Sequence, residues 1–195
     1  MLGLEGSRNF LVQHELLSGG RNYRILNHEK RHLFTVREDV REELAENVLG
    51  GSAATRSGFR IGQVAPGTRV FAWTVADAQG TAQGAITIQV HGLRALSTLV
   101  DGAGTPLLAV QVEKSLVGGL SATAAFPDGR AMFTAHGNLL RHNFSIRDPS
   151  GGEVAKIHEA WASVRDTYNL DVTGAVDPLF PIVFAILVDR EKAEG

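Results

Sequence analysis

Seven histidines, His14, His28, His32, His91, His136, His142 and His158, are the side chains best suited to metal binding or proton transfer, and they are dispersed along the chain. A zinc site needs three or four such ligands brought together, as a rule at short fixed spacings. The one i, i+4 pair, His28 and His32, lies across an expected turn, where helical spacing has no meaning. No zinc site is expected. The acidic stretch from Asp166 to Asp177 invites a calcium reading, but an EF-hand loop needs oxygen ligands at positions one, three, five and twelve and Gly at six. Counted from Asp166, those ligand positions hold Asp166, Tyr168, Leu170 and Asp177, with Asp171 at the glycine position. Calcium is not expected either. There is no Gly-x-Ser-x-Gly elbow and no P-loop, and Gly102-Ala103-Gly104 runs into Thr105-Pro106 within a turn, so nucleotide binding and serine hydrolysis have no motif. Arg141, His142 and Arg147 lie near one another in sequence and read most simply as a solvated strand face, while Trp73 and Trp161 read as core or rim aromatics. The residues assign no catalytic or metal site and imply no cofactor. A non-enzymatic protein is the leading expectation, an enzyme with an unrecognised site the lesser one.

The elements that would position any such chemistry are mostly strands. At 195 residues the chain suits a single domain with one well-filled core. Its 44% hydrophobic and 21% charged residues are ordinary globular usage, and its net charge of -2 exerts no global pull on nucleic acid or anionic lipid. The chain has no cysteine, which removes disulfides, thiolate ligands, Cys nucleophiles and palmitoylation together and suits a reducing compartment. The first nine residues lack the basic-then-apolar pattern of a signal peptide, so a cytoplasmic location is expected. One unit recurs along the chain: an alternating apolar segment, an Asp or Asn turn that often ends in Gly, and a second apolar segment. Instances run from Tyr23 to Val36, from Val70 through Asp77 and Gly80 to Val90, from Leu96 through Asp101 to Val112, from Ser121 through Asp128 to Ala135, and from Phe144 through Asp148 to Ile157. Each reads as a β-hairpin with one face of every strand in a core. Five hairpins imply roughly ten strands or more.

Two stretches break this pattern. Between residues 38 and 68, Val40, Leu44 and Val48 fall at helical spacing before Gly50-Gly51, so a short amphipathic helix is expected, followed by a small-residue loop to Gly58. The segment reads as an insertion at a hairpin end, with a lid or partner-binding arm as the functional alternative. The second stretch is the apolar run from Pro178 to Val188, with Asp177 at a helix N-cap, Pro178 at the first helical position and basic residues after Asp189. Pro181 falls where the first intrahelical N–H would donate, so a distorted first turn is expected, and a strand is the alternative. As a helix, the eleven residues span about 16 Å against a hydrocarbon core of about 30 Å, too short to cross a bilayer alone. A helix apolar on every side must be surrounded, and a barrel of about ten or more strands has room for one along its axis. The alternative is a tail that docks shallowly in a membrane, although no Lys/Arg cluster or Trp belt flanks the run.

Three stretches in order resemble the tubby-like superfamily, and within it the LURP-one-related and phospholipid-scramblase-like proteins. Phe10 to Glu15 followed by Asn22 to Leu26 looks like the opening strands, Phe144 to Ile157 is similar to the penultimate hairpin, and Arg165 to Val172 followed by Asp177 to Asp189 looks like the last strand and central helix. The resemblance implies one domain over residues 8–192: a closed antiparallel barrel of about twelve strands around a buried C-terminal helix, with the 38–68 insertion. It implies a non-enzymatic binding module that engages phospholipid head groups or a protein partner, with peripheral membrane contact but no membrane span. Scramblase-like movement of lipids is the alternative. This chain lacks the family's Pro-rich N-terminus, its first proline being Pro66, and its Cys cluster. Anchoring through palmitoylated cysteine is therefore excluded. Superfamily members that hold phosphoinositides use clustered basic side chains, and no matching pair stands out here.

Overall fold

The computed structural model describes residues 8–17, 20–44, 68–114, 119–138, 143–159, 167–173 and 176–193. Strand β1 (Asn9–Leu17) opens the sheet. Then come the five expected hairpins: β2 (Gly20–Asn27) with β3 (His32–Leu44), β4 (Arg69–Asp77) with β5 (Ala82–His91), β6 (Arg94–Asp101) with β7 (Pro106–Lys114), β8 (Gly119–Ala125) with β9 (Ala131–Asn138), and β10 (Asn143–Arg147) with β11 (Glu153–Glu159). Strand β12 (Thr167–Val172) and helix α1 (Leu179–Ala193) complete the chain. Each strand pairs antiparallel with its sequence neighbours and β1 pairs with β12, closing a twelve-stranded barrel. Closure leaves no sheet edge open to a further strand.

The hairpins share one turn. In β4–β5, Asp77 Oδ1 accepts the N–H groups of Gln79 (3.0 Å) and Thr81 (2.8 Å), while the Gly80 N–H donates to the Asp77 carbonyl at 3.0 Å. Asn27, Asp101 and Asp148 repeat the arrangement; in β8–β9, Phe126 holds the first position and Asp128 accepts from the Arg130 N–H instead. The fourth turn residue is left-handed, with φ of 84° at Gly80 and 60° at Lys30. A register shift beside every turn completes the type I turn with its bulge. This is why Asp or Asn and Gly recur at fixed spacing in the sequence. All five turns lie at one end of the barrel, here the turn end, because the registers align the finish of β2, β4, β6, β8 and β10.

Helix α1 starts at the turn end and runs along the bore. Asp177 caps it, its Oδ1 accepting the Leu179 N–H at 2.9 Å. Pro181 has no N–H for the Asp177 carbonyl, so the Phe180 N–H takes that acceptor at 3.2 Å, and the ordinary i to i−4 pattern begins with Ile182 to Pro178 at 3.1 Å. The expected distortion is therefore one tight first turn, and the alternative of a strand is set aside. Ile182 to Leu187 are buried on all sides at 2% exposure or less. Phe184 lies edge-on between Phe133 and Phe144, with both ring centroids at 6.2 Å. Phe144 in turn covers Gly137 on β9, where a Cβ would fall 2.1 Å from the Phe144 ring.

Two expectations are corrected. Val40 and Leu44 belong to β3, paired with Ala72 and Arg69 of β4 across an irregular register, and not to a helix. Their helical spacing was overridden because pairing with β4 satisfies the backbone along the sheet. Val48 and the rest of 45–67 lie outside the described residues. The buried part of α1 also does not stop at Asp189: Asp189 and Arg190 are themselves 2% and 1% exposed. Among the described residues no helix is long and apolar enough to cross a membrane.

Candidate functional site

Two places at the end of the barrel opposite the turns, where α1 leaves the bore, combine polar chemistry with defined geometry. The first is internal. Inward positions alternate along strands, so His14 of β1, Tyr23 of β2 and Tyr168 of β12 point into the bore where Asp189 arrives. Asp189 Oδ2 accepts the Tyr23 hydroxyl at 2.9 Å and Oδ1 accepts the Tyr168 hydroxyl at 2.5 Å. His14 Nδ1 lies 3.3 Å from Oδ2, and its ring stacks on Tyr23 at 4.9 Å between centroids. Burial, followed by the Asp189 carboxylate, pushes the Tyr23 phenol well above its ordinary value, so it stays protonated and donates. Arg190 sets its guanidinium 3.9 Å over the Phe71 ring, and its carbonyl accepts from Arg21 Nη1 at 3.5 Å. Trp73 Nε1, also buried, finds no acceptor among the described residues. This arrangement stabilises a buried carboxylate with hydroxyl donors. His14, Tyr23, Tyr168 and Asp189 are all buried and in contact through Asp189, which is the geometry of a fastening.

The second place is external. The ends of β7, β8 and β9 bound an open groove of about 380 Å³, lined by Glu113, Lys114, Leu120, Ser121 and His136. Arg94 Nε approaches Glu113 at 3.1 Å, and the Lys114 N–H donates to the Leu93 carbonyl at 3.0 Å, tying the β5–β6 connection to β7. Leu93 and Leu96 beside it are the exposed large hydrophobics among the described residues, at 49% and 44%.

The sequence candidates are scattered by this fold. His28 is exposed in the β2–β3 turn, His32 contacts Thr35 Oγ1 at 3.0 Å, and His158 is 3.7 Å from Asp171 Oδ2. Among the described residues no three of His, Asp or Glu gather as a metal group. Arg147 sits at the turn end of β10, away from the strand's start, while Arg141, His142 and Trp161 lie outside the described residues. Trp73 is in the core at 1% exposure. Sequence reasoning missed the Asp189 cluster. A signal was present: Tyr23 and Tyr168 are the chain's two tyrosines, both at inward positions of apolar strands, and a buried phenol needs an acceptor.

A closed antiparallel barrel wrapped around its own C-terminal helix defines a class of β-barrel proteins whose bore is occupied by the chain itself. The family model described as LURP-one-related matches residues 4–189, and the chain belongs to that family, within the tubby-like superfamily. A solved X-ray structure of an Arabidopsis thaliana protein has the same fold, with a TM-score of 0.55 and 16% identity over 94% of this chain and 91% of that one. Among curated proteins, none matches the chain.

Proposed function

We propose that this protein is a non-enzymatic binding module that engages a phospholipid head group from the outer surface at the end where α1 leaves the bore. The observation that carries the reading is the filled bore: Ile182 to Leu187 occupy the axis at 2% exposure or less, so an internal ligand has no room. The groove bounded by Lys114, Ser121 and His136 is polar and open, and Leu93 and Leu96 stand beside it as an apolar margin. Membership in the LURP-one-related family supports a binding role over catalysis, and the absence of cysteine in the sequence favours a reducing, cytoplasmic site of action. Co-sedimentation with anionic and neutral liposomes tests the lipid reading. Retention on anionic vesicles is expected, and failure to bind either kind leaves a protein partner as the ligand class. The same vesicles carrying a dithionite-quenchable lipid test the scramblase-like alternative, which a quench confined to the outer leaflet removes.

A further inference from the structure

Eleven of the twelve strand contacts in the barrel join sequence neighbours, and the remaining one joins β1 to β12. Parting that seam separates five registered pairs, from Asn9↔Asp171 to Gln13↔Thr167, and breaks no hairpin. Polar side chains bridge this line on both faces of the sheet. Asn9 Nδ2 donates to Asp171 Oδ1 at 2.6 Å on the outside. On the inside, Asp189 takes Tyr168 of β12 on one oxygen, and on the other it takes Tyr23 of β2 and meets His14 of β1. One carboxylate on α1 thus holds both sides of the seam.

We propose that the β1–β12 seam is where this barrel opens as a unit, and that Asp189 is its latch, so that parting the seam and releasing the last turns of α1 from the bore are one event. The Asp189 bonds are directional and have partners on both flanks, so they cannot survive separation of those flanks. A carboxylate left buried without donors is costly, so once they are lost the end of α1 moves to water. The contacts of Phe184 with Phe133 and Phe144 are apolar and tolerate small displacements in a way that hydrogen bonds do not. An open seam would present the apolar bore, which the closed molecule hides.

Native-state hydrogen exchange of the full chain, read by mass spectrometry at low denaturant, tests this. The slowest amides of β1, β12 and α1 are expected to exchange at one common rate, faster than those of β5 to β7. Tyr168→Phe, which keeps the ring and removes one latch bond, is expected to accelerate the seam group by about tenfold, the equivalent of one such bond. Asp101→Ala, which loosens the exposed β6–β7 turn far from the seam, is expected to accelerate β5 to β7 and leave the seam group unchanged. Equal protection of all strands, or an equal response of the seam to Asp101→Ala, overturns the proposal. The wild-type profile and the Asp101→Ala variant decide it even if Tyr168→Phe does not fold.

Discussion

At the scale of single residues, Asp189 and Lys30 are the positions where local chemistry and the fold are most at odds. Asp189 is a carboxylate in a core, tolerated because two phenols donate to it and His14 adjoins it. Replacing it by Ala strands those groups without their acceptor and is expected to cost about 3–5 kcal/mol, read from urea unfolding midpoints. Tyr23 makes the cluster sensitive to alkali. Its folded pKa stands above the unfolded value near 10, so its contribution is complete below about pH 10 and is lost as pH rises through the raised value. Unfolding midpoints measured from about pH 9 to about pH 12 should therefore fall at the alkaline end, and Tyr23→Phe should flatten that fall. Lys30 occupies, at φ 60°, the left-handed turn position that glycine fills in the other four hairpins. Lys30→Gly relieves that strain at some cost in unfolded-chain entropy, and a net gain of about 0.5–1 kcal/mol is expected in thermal melts.

At the scale of elements, α1 is shaped by its surroundings on every side. From Ile182 to Leu187 it has no polar face, and Phe184 fills the space between Phe133 of β9 and Phe144 of β10. Phe184→Ala is expected to destabilise the protein by about 3–5 kcal/mol, with the loss visible in near-ultraviolet circular dichroism before secondary structure is lost. The hairpins behave differently, because each carries its own closing chemistry in four or five residues. That is why Asp77, Asp101 and Asp148 marked their turns correctly from sequence, whereas Val40 and Leu44 misled: helical spacing is a local signal, and the partner that made them a strand, β4, begins only at Arg69.

At the scale of the whole molecule, the barrel and its plug depend on each other. Ending the chain at Asp177 removes α1 and leaves Phe133, Phe144, Val110 and their neighbours facing an empty bore. Such a chain is expected to collapse without fixed packing, detected as dye binding to exposed apolar surface together with lost near-ultraviolet signal. A folded, dye-silent product would mean that the sheet alone carries the core. The occupied bore also leaves no room for an internal ligand, which is why the binding role proposed above is placed at the outer groove beside Leu93 and Leu96.

Legible in the sequence were the features that are closed within a few residues: five hairpins, the Asp177 cap, the distorted first turn at Pro181, and an apolar run too short to cross a bilayer, with enclosure as its leading reading over a strand or a shallow membrane contact. Asp, Gly and Pro act on backbone groups two to four positions away, so their effects are written locally. Tertiary structure alone decided that Asp189 lies inside the core and not at its boundary, because its partners Tyr23 and Tyr168 stand 166 and 21 residues away. It also decided that Arg147 faces the turn end and that β3 runs through Val40. Those placements follow from strand register and barrel closure, which bring together groups whose spacing in the chain carries no sign of their contact.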